Sequence, residues 1–188
     1  MKNRLIRAMK TLCMVVVALL LSAAALLPNI CLRVSLARTA TANQSEQSIA
    51  LMRVDDVAKL REQARGQVLV VNFWATWCHG CISEFPEFVA LDNQYRAKGV
   101  KIVGISLDQP SDIDSTVTAF VRKSGARFDI RVPDMNDPKP IIDAVTSEWT
   151  GAMPVTLIFD QTGTPVYKRF GVIDRKQVVA VLEGLLKS

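Results

Sequence analysis

With 188 residues, 49% of them hydrophobic and 22% charged, the chain has room for one packed domain plus a leader and is too apolar to be disordered. The formal net charge of +5 hints at a polyanionic partner, but six of the 23 basic residues (Lys2, Arg4, Arg7, Lys10, Arg33 and Arg38) precede residue 43, and the first acid is Glu46. The other 17 basic residues face 18 acidic ones, so the folded part is near neutral and nucleic acid is excluded as the expected partner.

Residues 1–37 read as a signal peptide or an N-terminal membrane anchor: basic residues from Lys2 to Lys10 precede a sixteen-residue apolar run from Leu12 to Leu27. The run is short for a lone spanning helix of about 20 residues, although the segment through Val34 extends it past Pro28. Ser35-Leu36-Ala37 and Ala40-Thr41-Ala42 offer small residues to a signal peptidase, so cleavage and anchoring both stay open. Either outcome puts the domain on the outer side of a membrane, in the cell envelope. Residues 38–48 have the composition of a linker, and residues 49–188 form the expected domain.

Within it, Ile49 to Val54 is a short apolar stretch, followed by a helix capped by Asp55 and closed at Gly66. Gln67 to Ala75 is apolar and β-branched nearly throughout, as a strand buried on both faces must be. Cys78 to Lys98 reads as a helix with Pro86 inside it and Gly99 as its stop, and Val100 to Leu107 as a second buried strand. Asp112 caps a helix to Lys123, Phe128 to Val132 is a short strand, and Ile141 to Trp149 is helical. Val155–Phe159 and Pro165–Phe170 flank the turn Asp160 to Gly163 as a hairpin, and Asp174 to Leu186 is a closing amphipathic helix. Strands alternating with helices, then a hairpin and a helix, specify an α/β fold with a central mixed sheet flanked by helices.

Chemistry concentrates at the end of the first long strand. Cys13 and Cys31 belong to the leader, which leaves Cys78 and Cys81, too few for a disulfide scaffold but suited to a bond that is made and broken. A thiolate at a helix N-terminus is stabilised by free backbone N–H groups and by the macrodipole, so Cys78 is expected to attack. Cys81, about one helical turn later, reaches Cys78 and resolves a mixed disulfide. The competing structural readings are a static disulfide or half a zinc site. Tetrahedral zinc needs two further ligands, and His79, the only histidine, already lies inside the loop, so no metal is expected.

Trp74-Ala-Thr-Trp-Cys-His-Gly-Cys81, with Pro86 five residues on, resembles the thioredoxin superfamily, and Asn72 together with Glu84-Phe-Pro86 resembles its TlpA/ResA branch. The resemblance runs from about Ile49 to Ser188. It implies a thioredoxin-like fold with an inserted strand-helix unit before a cis-proline at Met153-Pro154, and it matches Gly171 to a glycine after the last strand. Asn72 stands where ordinary thioredoxins carry a buried acid. The implied activity is reduction of disulfides in client proteins, apocytochromes among them, with recharging by a membrane thiol carrier and no cofactor beyond the Cys78–Cys81 disulfide.

Further roles follow on these positions. Glu84, three residues after Cys81, is placed to take the buried thiol's proton. His79 and Gly80 tune the loop: an imidazolium favours thiolate, and glycine in place of a frequent proline loosens it. Trp77, Met153 and Pro154 line the client site, with the Met153 backbone offering strand-like pairing to an extended peptide. Glu87 and Asp92 read as surface. Two other functions use similar parts: a Cu(I) chaperone drawing on Met135 or Met153, and a peroxiredoxin-like peroxidase, whose proline and Thr or Ser ahead of the reactive cysteine do not occur at the needed spacings here.

Overall fold

The computed structural model describes residues 49–187. The expected leader and linker lie outside them. Among the described residues no helix is long and apolar enough to cross a membrane.

Six strands form one mixed sheet in the order β1-β4-β3-β2-β5-β6. They are β1 (Ile49–Met52), β2 (Val68–Trp74), β3 (Val100–Ser106), β4 (Asp129–Pro133), β5 (Val155–Phe159) and β6 (Pro165–Phe170). β1, β4, β3 and β2 run parallel, and β5 and β6 are antiparallel to their neighbours. Between them run α1 (Val54–Gln63), α2 (His79–Tyr95), α3 (Thr118–Ser124), α4 (Lys139–Val145) and, last, α5 (Arg175–Leu185). Parallel crossovers in one sheet are right-handed, so the steps β2–α2–β3 and β3–α3–β4, which move in one direction, put α2 and α3 on the same face. Ring contacts between Phe85 and Phe120 join these two helices, and Glu87–Arg175 and Tyr95–Glu183 join α5 to α2. On the other face Arg61 of α1 donates to the carbonyls of Ala144 and Val145 at the end of α4.

Every residue of β2 is buried, which is why its sequence shows no polar alternation. Trp74 and Phe85 pack at 4.7 Å between centroids, with Phe120 and Phe128 closing the cluster. Gly104 on β3 leaves the space the indole uses, since a Cβ there would lie 3.0 Å from Trp74 Nε1 and 3.0 Å from Ile130 Cδ1.

Several boundaries differ from expectation. α1 starts at Val54 instead of at an Asp55 cap: Arg53 is the cap residue, and its backbone N–H is held by Asp56 Oδ2 at 2.9 Å. The helix expected from Asp112 opens as a 3-10 turn (Pro110–Asp112) and a wide turn (Ile113–Val117), with Thr118 Oγ1 donating to Ile113 O at 2.6 Å. The helix expected from Ile141 to Trp149 begins earlier, with Pro140 tolerated in its first turn, and ends at Val145, where Thr146 turns extended. Trp149 lies beyond it, its indole N–H bonded to Ala152 O. Asp92, read as surface, is only 3% exposed and pairs with Arg96 one turn later, which offsets the burial of its charge. A buried charge with a helical partner at i+4 looks the same in sequence as a surface pair.

Phe85→Ala removes the ring that ties α2 to the sheet, and should lower the stability of the oxidised protein by about 3–5 kcal/mol in denaturant unfolding. A loss under about 1 kcal/mol would show that this cluster does not anchor the helix.

Candidate active site

The loop between β2 and α2 is fixed at both ends. Trp74 O accepts from Leu107 N at 2.8 Å, continuing the parallel ladder past β3. Asp108 then grips the loop: Oδ2 accepts from Thr76 N at 3.0 Å, Oδ1 from Thr76 Oγ1 at 2.5 Å, and Ser106 Oγ donates to Oδ2. A carboxylate accepting three bonds is a stronger clamp than a neutral acceptor would be. Cys78 is the cap residue of α2, its Sγ accepting from Cys81 N at 3.2 Å. Cys78 and Cys81 are joined in a disulfide with Cα atoms 5.2 Å apart. Cys78 keeps 9% of its surface and Cys81 none, so the two sulfurs are unequal in access, in the order expected.

Opposite the loop, Met153-Pro154 is cis. A methyl group built on Gly80 would sit 3.5 Å from Pro154 Cδ and 3.4 Å from Val172 Cγ2, so three segments distant in sequence meet at the disulfide. Two of them are tied together by Gly171, whose N–H donates to Pro154 O at 2.7 Å and whose φ of 95° suits glycine. Trp77 and Val172 project beside this junction, 67% and 46% exposed.

Below it lies Glu84, 2% exposed. Its Oε1 accepts from Asn72 Nδ2 at 3.1 Å and its Oε2 from Ile173 N at 2.9 Å. Asn72 Nδ2 also faces Thr156 Oγ1 at 3.1 Å, so β2 and β5 both support the carboxyl. Burial pushes Glu84 up from 4.5 to about 7, while the bonds from Ile173 and Asn72 oppose that rise. A carboxyl with this affinity exchanges protons at neutral pH. It shares a helix face with Cys81, one turn earlier.

Thus Cys78, Gly80 and Pro154 converge, Cys81 and Glu84 lie beneath them on α2, and Met153 is half-buried beside Pro154. His79 and Trp77 stand on the exposed rim. Asp108, Thr76, Val172 and the Ile173 backbone were not singled out in the sequence. A polar residue closing a buried strand, followed by Pro110, is the signal that pointed to Asp108, because parallel pairing of Trp74 with Ser106 carries it to the loop. Ile173 contributes through its backbone N–H, which leaves no mark in sequence. Among the described residues no group of three or more His, Cys, Asp or Glu is gathered where it could hold a metal.

A model of the AhpC/TSA family matches residues 44–168. The chain is 30% identical over 124 residues to the thiol-disulfide oxidoreductase ResA of Bacillus thuringiensis, covering 66% of this chain and 64% of that protein. It therefore spans somewhat less than two thirds of that relative. With ResA of Halalkalibacterium halodurans the identity is 27%, over 76% of this chain and 77% of the relative. A solved thiol:disulfide interchange protein of the thioredoxin family from Chlorobium tepidum superposes with a TM-score of 0.56 at 23% identity, covering 66% of this chain and 83% of that one. The fold is thioredoxin-like, with six strands in its mixed sheet.

The folded protein binds the Glu84 proton more tightly than the unfolded chain does, so this stabilisation is complete below pH 4.5 and is lost as pH rises through 7. Denaturant unfolding of the oxidised protein should show wild type losing about 2–3 kcal/mol relative to Glu84→Gln between pH 5 and 8. Parallel pH dependences in the two proteins would mean that Glu84 does not titrate high.

Proposed function

Because the chain belongs to the AhpC/TSA family and has the thioredoxin-like fold, we propose that it is a thiol-disulfide oxidoreductase of ResA type that reduces disulfides in client proteins. The observation that carries this reading is the Cys78–Cys81 disulfide at the start of α2, with one sulfur at the helix cap and partly accessible and the other sealed. In the reduced protein the Cys78 thiolate attacks a client S–S bond, forming a mixed disulfide and releasing one client thiolate. Cys81 then gives its proton to Glu84 and attacks Cys78 Sγ. The second client sulfur leaves as thiolate, two electrons have passed to the client, and the intramolecular disulfide remains. An unassisted buried thiol titrates too high for that step at neutral pH, and a carboxyl near 7 is suited to accept its proton. The cleft between Trp77, Met153, Pro154 and Val172 receives the client backbone, and His79 and Gly80 set the loop's charge and stiffness.

The basic leader supports a place on the outer side of the inner membrane, anchored or released after cleavage, where a membrane thiol carrier restores the dithiol and apocytochromes are among the clients. A Cu(I) chaperone would use the same cysteines as ligands, and a peroxidase would use Cys78 against peroxide. The close packing of Gly80 against Pro154 and Val172, which sets the cis-proline backbone beside the disulfide, supports a peptide client over either.

Glu84→Gln should slow insulin reduction at pH 7 by ~10²-fold and recover toward wild type as pH rises, because hydroxide replaces the carboxylate. Cys78→Ser should abolish turnover, and Cys81→Ser should accumulate mixed disulfides through Cys78 in the native host. Turnover surviving in Cys78→Ser, or stoichiometric copper binding without insulin reduction, would contradict the reading. A reporter fused after Ser188 should be active only outside the cytoplasm; cytoplasmic activity would overturn the placement.

A further inference from the structure

Glu84 is held by a peptide unit that is itself bonded at its other end. The N–H of the Val172–Ile173 peptide donates to Glu84 Oε2 at 2.9 Å, and the C=O of the same peptide accepts from Arg169 Nε at 3.2 Å. The β-register explains why this arginine is there: Arg169 on β6 pairs with Thr156 on β5, which pairs with Asn72 on β2, so all three rise from one face beneath α2. We propose that Arg169 is a positioning residue for Glu84, acting through the Val172–Ile173 peptide to strengthen its N–H and hold the carboxyl ready to accept a proton. The proposal rests on the reading of Glu84 as the acceptor for Cys81.

The mechanism is polarisation along a hydrogen-bond chain. A guanidinium on a carbonyl oxygen draws electron density through the planar amide and makes its N–H a better donor, which favours the charged form of whatever that N–H holds. Among the described residues no cation bonds the Glu84 carboxyl directly. The groups around it are Cys81 on α2, Asn72 on β2, Thr156 on β5, Tyr167 and Arg169 on β6, and Asp174 beyond the turn. Tyr167 feels the charges of Arg169, Asp174 and Glu84, and its buried hydroxyl has no hydrogen-bond partner among the described residues, so it does not replace the arginine as a donor. The other acids of α2 are already paired, Glu87 with Arg175 at 2.5 Å and Asp92 with Arg96. The arginine therefore offsets burial without entering the pocket. Its side chain stays exposed, the carboxyl stays dry, and the turn that carries the signal also holds Pro154 through Gly171 N–H.

The test is a titration of the Glu84 carboxyl carbon by NMR in the oxidised full chain, with the resonance assigned by its loss in Glu84→Gln. Arg169→Met, which keeps the aliphatic stem and removes the cationic donor, should raise the midpoint by roughly 0.5 pH unit. Arg169→Lys, which keeps a cationic donor, should return it most of the way. The acid limb of insulin reduction should move up with the midpoint in Arg169→Met, whereas a purely structural role would lower stability and leave the midpoint in place. An Arg169→Met midpoint within ~0.1 unit of wild type would overturn the proposal. The titration does not depend on cysteine chemistry. Full turnover in Glu84→Gln would remove the proton-acceptor role, and the shift in Arg169→Met would still decide whether the arginine acts on the carboxyl.

Discussion

One buried carboxyl organises this protein. Glu84 sits in the dry space between α2 and the sheet, where an isolated carboxylate is strongly disfavoured, and the fold answers with one amide side chain and one backbone N–H. Those two donors come from opposite ends of the domain, Asn72 on β2 and Ile173 after β6. The carboxyl can keep its position only if the sheet, the redox helix and the closing turn are all in register. Two donors offset burial in part, which is why the group settles near 7 and not near the ordinary carboxylate range or far above it. Structure and the proposed chemistry thus meet in one residue: the desolvation that penalises the charge also raises its proton affinity toward neutral pH.

The same economy of contacts assembles the rest of the site. Three segments that are distant in sequence meet at the disulfide, the loop after β2, the cis-proline and the turn after β6, and the loop after β3 braces the first of them through Asp108. Each joint is made by backbone or by short polar side chains, as in Asp108 to Thr76 and Gly171 to Pro154. Such joints fix position without filling the surface, so the rim is left for exposed apolar groups, Trp77 and Val172. A fixed floor beneath an open, apolar rim is the arrangement that the proposed reduction of client polypeptides would need.

The sequence revealed most where one physical cause acted alone. β2 was legible because burial on both faces leaves an unbroken apolar run, and the cysteine pair because two cysteines three residues apart at the start of a helix are within reach of the disulfide they form. The wide turn after Pro110 was not, since its periodicity resembles a helix and only Thr118 bonding back to Ile113 distinguishes it. Asp92 misled for the opposite reason: an acid with an arginine four residues on is most often solvated, and only the packing of α2 against the sheet buries it. Glu84 was singled out by its spacing from Cys81, but its partner at Ile173 lies 89 residues away and acts through the backbone, which no side-chain pattern can announce.

The account stands on the inequality of the two sulfurs, which the helix cap and the burial of Cys81 impose together. The most direct measurement is the alkylation rate of each cysteine against pH in the reduced protein, read separately by mass spectrometry. Cys78 should label with a midpoint below ~7.5, and Cys81 should stay nearly silent over the same range. Equal labelling of both, or a Cys78 midpoint near the ~8.5 of free cysteine, would contradict it.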